Sequence, residues 1–185
     1  MKIAKLTGLC TLLLASVGVS GVLQAAQVEV TWEEPKSYRD VKPSNESRTR
    51  FRERTFKELD EFFTELAEKL PEDQKLSITV TDLDLAGQVW PASFVGMGQS
   101  AADVRIIKEI DIPRMSFSYV LSDSDNTVLK SEDVKIKDMM FMNTVNRRLS
   151  NDNLVYEKNM IEDWFNDTFN DTFNDTLAKS VVSNH

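Results

Sequence analysis

The sequence predicts an α+β fold, in which a mostly antiparallel sheet of four or five strands carries two long helices packed on one face. Several short runs alternate apolar and polar residues, as half-buried strands do. Two longer segments repeat apolar residues at three- and four-residue steps, which is typical of amphipathic helices. With 41% hydrophobic and 28% charged residues, the composition favours a folded core over disorder.

The first 26 residues are typical of a cleavable signal peptide. Lys2 and Lys5 precede an apolar run, Leu6 to Val22, that contains no acid, and small residues allow cleavage after Ala25 or Ala26. The apolar run is short for a stable membrane span, so we expect none after cleavage. Cysteine occurs only at position 10, and the mature chain would therefore form no disulfide. We expect a single domain over residues 27–165 and a repeat-containing helical tail over residues 166–185.

Charge and histidine content exclude several functions. The net charge is −8, whereas a nucleic-acid-binding surface needs clustered lysine and arginine. The single histidine is His185, the last residue. This excludes a Ser-His-Asp or Cys-His catalytic arrangement and an imidazole zinc site. The sequence also lacks a glycine-rich phosphate loop, and we predict no cofactor.

Gln27–Trp32 alternates as a first strand, and a loop with Pro35 and Pro43 follows. A helix is predicted from a cap at Ser44 or Asn45 to Leu70, before Pro71. Its apolar stripe is expected to pack in the core.

The charges on this helix oppose its dipole. Arg48, Arg50, Arg52 and Arg54 lie in its first half, whereas acids fill its second half. Some of these arginines are therefore expected to pair outside the helix, with aspartates of the next strand or with an anionic ligand. The alternative is a solvated basic face.

Leu76–Gly87 begins as a strand and changes phase. Leu76, Ile78 and Val80 alternate with polar residues, but continued alternation would bury Asp82 and Asp84. A bulge near Thr81–Asp82 is therefore predicted, with both carboxylates at the end of the regular strand.

Further strands are predicted at 104–112 and 115–121, with a surface loop over 92–102 before them. After a turn at 122–126, a return strand begins at Thr127–Leu129 and resumes at Val134 and Ile136 after a break.

A short helix is predicted over Asp138–Leu149, where Met139, Met140 and Met142 are expected to fill a gap in the core or to line an adaptable pocket. A second long helix starts at Asn153 and runs into three copies of Phe-Asn-Asp-Thr from Phe165. Asn, Asp and Thr are poor helix formers, so the last copies are expected to project past the core.

Several segments together resemble the DUF3016 family of exported bacterial proteins. They are Val28-Glu29-Val30-Thr31-Trp32, the helical Arg48, Phe51 and Arg54, Thr81-Asp82-Leu83-Asp84-Leu85-Ala86-Gly87, Pro113-Arg114-Met115, and Tyr156-Glu157-Lys158 ahead of Asp163-Trp164. The resemblance implies a location in the Gram-negative periplasm. It implies no activity, cofactor or catalytic residue.

Three functions remain open. The first is a non-enzymatic module that binds an envelope protein or a small ligand. The second is a carboxylate site in which Asp82 and Asp84 bind a divalent cation or a cationic group, joined by Asp103, Asp111 or Asp138. The third is a paired-carboxylate hydrolase.

A structural role for the two aspartates is the alternative to all three. One would cap the turn, and the other would pair with Arg54 or Arg114. Asp82→Asn should then clearly lower the melting temperature.

Overall fold

The computed structural model describes residues 27–98, 102–143 and 152–182, and for residues 171–182 it describes the backbone alone. The predicted signal peptide lies outside these residues. In chain order the elements are β1 (Gln27–Trp32), α1 (Arg48–Ala67), β2 (Lys75–Asp84), β3 (Gln88–Trp90), a 3-10 helix (Ala92–Val95), β4 (Val104–Ile106), β5 (Arg114–Ser122), β6 (Val128–Lys137) and α2 (Val155–Val182). The predicted mixture of helices and strands is thereby confirmed.

Among the described residues, four strands form the main sheet in the order β1-β2-β5-β6. β1 runs parallel to β2, while β2–β5 and β5–β6 are antiparallel. β1 and β2 can run in parallel because the connection between them contains α1, which returns the chain to the end of the sheet where β1 begins.

The predicted strand over 104–112 is wrong in extent. Only Val104–Ile106 is extended, and it pairs with β3 in a separate two-stranded sheet. The chain then turns, since Asp111 N–H donates to Lys108 O at 3.0 Å, and Ile110 is 79% exposed. Ile106, Ile110 and Ile112 are spaced as the apolar residues of a strand would be, but Ile110 lies in a turn and is not buried. By contrast, β6 continues through Ser131–Asp133, where a break was predicted.

Alternate residues of β2 and β5 form the centre of the core. Leu76, Ile78 and Val80 face the same side as Phe117 and Tyr119, and all five are buried. The aromatic stripe of α1 and the inner face of α2 complete this cluster. The packing of this helical stripe in the core is thus confirmed.

Helix α1 begins later than predicted. Its N-cap is Ser47, not Ser44 or Asn45, and no side-chain hydrogen bond caps it. It ends at Ala67, three residues before the predicted end at Leu70.

The phase change in β2 is confirmed. Val80 pairs with Phe117 and Asp82 with Ser116, so Thr81 is the extra residue of a bulge. Leu83 and Leu85 thereby turn inward, and both are buried. The bulge leaves Asp82 and Asp84 on the outer side, where each can meet a charged partner.

The predicted helix over Asp138–Leu149 is not present in its described part. Residues 138–143 form bends and turns, and residues 144–149 lie outside the described part of the chain. The three methionines are exposed, so they do not fill a core gap.

The described part of α2 includes the first copies of the Phe-Asn-Asp-Thr repeat. Phe165 and Phe169 are buried and lie 4.8 Å apart between ring centroids. Phe169 also meets Tyr119 of β5, so the core extends at least to this residue. None of the described helices is long and apolar enough to cross a membrane.

Candidate functional site

The segment Asp82–Gly87, where β2 leaves the sheet, gathers polar contacts from four parts of the chain. We call it the aspartate segment. Asp84 forms an ion pair with Arg114 of β5, with Nη1 2.9 Å from Oδ2. Asp82 meets Arg39, whose Nε lies 3.3 Å from Oδ2 and whose backbone N–H lies 3.3 Å from Oδ1. The bulge is what places both carboxylates beside these arginines.

Of the two arginines that the sequence indicated as partners, Arg114 pairs with this segment and Arg54 does not. Arg54 forms an ion pair with Glu46 at 2.6 Å and a longer one with Glu58 at 3.7 Å. Arg54 therefore pairs with acids that are near it in the sequence. The partner of Asp82 is instead Arg39, in the loop before the helix.

Burial and the ion pair act on Asp84 in opposite directions. Loss of hydration, together with the charge of Asp40, raises the pKa of this carboxyl above its ordinary value, although the hydrogen bond and the charge of Arg114 lower it. The side chain of Asp84 is 17% exposed and that of Arg114 is 42% exposed. The pair is thus half-buried, with its guanidinium side toward solvent.

Arg105 of β4 joins the aspartate segment to the loop that precedes α1. Its Nη1 donates to Asp40 Oδ2 at 3.0 Å, to Ala86 O at 3.1 Å and to Gly87 O at 3.0 Å. Its Nη2 donates to Lys42 O at 3.0 Å. One planar guanidinium thereby fixes two loops that share no strand pairing with β4. No pattern in the sequence indicates this role for Arg105, because a single arginine in a short strand belongs to no repeat or motif.

Glu157, in the first turn of α2, reaches the same segment from the other side. Its Oε1 accepts a hydrogen bond from Ala86 N–H at 2.6 Å, and the residue is 2% exposed. Burial raises the pKa of this carboxyl above its ordinary value, although Ala86 N–H and Arg105 work to lower it. No pattern in the sequence indicates a role for Glu157, although it lies within the Tyr156-Glu157-Lys158 segment that resembles the family.

Gly87 ends the aspartate segment in a conformation that needs glycine. Its φ is +77°, and a Cβ there would lie 2.5 Å from Ile106 O. Its N–H donates to Asp111 O at 2.9 Å. The close approach of β4 to this turn is what brings Arg105 within reach of Ala86 O and Gly87 O.

These contacts border an open cleft of about 680 Å³, which we call the arginine cleft. It carries Arg39, Lys42 and Arg114 together with Asp40, Asp84 and Asp111, so its formal charges balance. The remaining lining residues are Leu85, Gly87, Gln88, Val89, Ile110 and Ile112. A second cavity of about 490 Å³ shares Lys42 and Leu85 with it and is lined by Arg105 and Glu157.

The carboxylates do not gather into a metal site in the described part of the chain, where no group of three or more His, Cys, Asp and Glu could hold a metal ion. Asp111 lies in the arginine cleft. Asp138 instead accepts a hydrogen bond from Met140 N–H after β6. Asp103 is exposed.

One comparison with known proteins gives a match. A family model described as "Protein of unknown function (DUF3016)" matches residues 26–167, which is most of the chain. No curated protein and no solved structure gives a significant match.

Proposed function

Because this chain belongs to the DUF3016 family of proteins of unknown function, we propose its role from the geometry of the aspartate segment. We infer that it is an exported, non-enzymatic binding module whose arginine cleft holds a small ligand with one anionic group. This group is a carboxylate or a phosphate, because both present negatively charged oxygens that accept hydrogen bonds from arginine.

The supporting observation is the unused hydrogen-bonding capacity of two arginines. Within the described part of the chain, Arg114 donates through Nη1 alone, to Asp84 Oδ2 and weakly to Ile112 O. Arg39 contacts Asp82 through its side-chain Nε alone. Guanidinium groups carry five N–H donors in a planar fork that matches the oxygens of carboxylate and phosphate. Both groups therefore retain donors for a ligand.

The carboxylates of the cleft restrict the ligand class. Asp40, Asp84 and Asp111 balance the three cationic side chains of the cleft, so a polyanion would meet repulsion that a singly charged ligand avoids. The volume of about 680 Å³ fits a small molecule, because such sites usually measure about 300–1,000 Å³.

The non-enzymatic role rests on how the carboxylates are engaged. A hydrolase with paired carboxylates needs one acid and one base that both face the substrate. Asp82 and Asp84 each meet an arginine instead, which holds them in a fixed arrangement. Export is proposed from the composition of the first 26 residues, which predicts a cleavable leader and a periplasmic location. Cell fractionation with mass analysis of the mature N-terminus tests it.

Arginine side-chain NMR tests the ligand proposal directly. Inorganic phosphate and acetate, as separate probes, should shift the Nε–H signals of Arg39 and Arg114, and the stronger probe identifies the anion class. Arg39→Gln should weaken binding without unfolding the protein, because the Arg39 side chain is 66% exposed. Arg50→Gln is the matched control, an exposed arginine in the first turn of α1. Equal binding by wild type, Arg39→Gln and Arg114→Gln would contradict the proposal.

A further inference from the structure

Three methionines are presented to solvent in the turn that follows β6. Met139, Met140 and Met142 are 67%, 61% and 43% exposed. Large apolar side chains usually lose contact with water on folding, which stabilises the folded protein, and these three keep much of that contact. A cluster of three within four residues therefore needs an explanation other than core packing.

The turn that carries them is fixed on both sides. Met140 N–H donates to Asp138 Oδ1 at 2.7 Å, and Asn143 N–H donates to Met140 O at 2.8 Å. Asp138 N–H donates to Pro113 O at 3.3 Å, which ties the turn to the start of β5. The backbone is thus ordered by hydrogen bonds at the point where the methionines emerge.

Phe141 anchors the turn from within. It is 1% exposed and meets the ring of Tyr156 edge-on, with centroids 4.8 Å apart. Because Phe141 is buried in the middle of the run, the methionines on either side of it are held at the surface. Phe141 thus packs in the interior, while the three methionines keep their thioether groups at the surface.

We propose that Met139, Met140 and Met142 form a binding site for a soft monovalent metal ion, Cu(I). Thioether sulfur is a soft ligand that selects Cu(I) over hard divalent ions. Methionine has three rotatable bonds, so sulfurs from neighbouring positions in one turn can converge on a single ion. The site is separate from the arginine cleft and uses none of its charged side chains.

The local charge favours a cation. Asp138 belongs to the turn. Burial raises the pKa of Asp163 in α2, and the nearby charge of Asp138 adds to this effect. The Asp138 carboxylate accepts a hydrogen bond from Met140 N–H at 2.7 Å, so its negative charge lies within the turn and attracts a positive ion. As a hard oxygen ligand, it favours a soft ion less than the thioether sulfurs do.

Silver and copper titrations of the full chain test the site. Ag(I), which is soft and does not change oxidation state under these conditions, is added in chloride-free buffer, and Cu(I) is added without oxygen. All variants carry Cys10→Ser, because a thiol would compete with the thioethers. Native mass spectrometry should detect a single bound ion, which Met139→Leu/Met140→Leu/Met142→Leu should lose.

Met97 supplies the matched control. It is 59% exposed but lies outside the turn, so Met97→Leu should bind the ion as the Cys10→Ser parent does. Leucine preserves apolar volume, so the triple variant should keep its fold, which circular dichroism checks. Equal binding by the parent and the triple variant, or no binding by the parent, would overturn the proposal. So would an equal loss in Met97→Leu.

Discussion

Glu157 and Ala86 are 71 residues apart in sequence and are joined by a hydrogen bond of 2.6 Å from the backbone N–H of Ala86 to Oε1 of Glu157. The bond ties the first turn of α2 to the turn that follows β2. It also leaves a carboxylate in the interior with only partial compensation from Arg105. The Glu157 side chain therefore stabilises the fold through its hydrogen bond and destabilises it through the burial of its charge.

Removal of that acceptor should destabilise the protein. Glu157→Ala leaves the N–H of Ala86 buried and unpaired, which costs about 1–3 kcal/mol of unfolding free energy. Glu157→Gln keeps an oxygen acceptor and should cost clearly less. Urea denaturation measures both, with the exposed Glu53→Ala of α1 as the control. An Ala variant as stable as the Gln variant would contradict this role.

The stability contributed by Glu157 should fall as pH rises. Burial raises its folded pKa above the ordinary value of 4.5, so the folded state holds this proton more tightly than the unfolded state does. The stability that Glu157 contributes is complete below pH 4.5, and it is lost as the pH rises through the raised pKa of the folded state. Wild type should therefore lose stability relative to Glu157→Gln across this range. Unfolding free energies measured at several pH values test this, and parallel profiles would refute it.

Asp84 should contribute more to stability than Asp82 does. The ion pair of Asp84 is the better shielded, since Asp84 is 17% exposed, while Asp82 is 29% exposed and meets an arginine that is 66% exposed. We expect Asp84→Asn to cost about 1–2 kcal/mol and Asp82→Asn less than about 1 kcal/mol. This reverses the emphasis that the sequence placed on Asp82. Thermal unfolding of both variants checks the order, and a larger loss for Asp82→Asn would contradict it.

Gly87 should tolerate no side chain. At φ +77° an alanine is strained by about 1–2 kcal/mol, and its Cβ would overlap Ile106 O, so Gly87→Ala should cost roughly 3 kcal/mol in total. Gly96 isolates the strain, because its φ is +78° and a Cβ there would meet nothing within 4 Å. Chemical denaturation should give a clearly lower free energy of unfolding for Gly87→Ala than for Gly96→Ala. Similar losses would mean that the contact with β4 is unimportant.

Two local patterns in the sequence predicted the local structure. The phase change after Val80 identified the bulge, and the aromatic spacing of α1 identified its buried face. Both signals depend on residues that are neighbours along one element. The spacing of Ile106, Ile110 and Ile112 failed because apolar residues in a turn can imitate a strand without a partner strand beside them.

The charged contacts of the candidate site were only partly predictable. Arg114 and Asp84 face each other because the register of β2 and β5 beyond the bulge makes them partners. Arg105 meets Asp40 across 65 residues, through loops whose course depends on the whole fold. No periodicity in the sequence encodes such a meeting. Arg54 looked equally suitable, but Glu46 and Glu58 lie much nearer to it along the chain.

The position of β6 at one side of the main sheet has a consequence for behaviour at high concentration. In the described part of the chain, the ten residues of this strand, Val128–Lys137, pair with β5 on one side and with no strand on the other, so another chain could extend the sheet there by backbone hydrogen bonding. Five of them are charged: Lys130, Glu132, Asp133, Lys135 and Lys137. Any incoming strand would have to strip water from these groups, so the border is protected against polymerisation while its backbone stays unpaired.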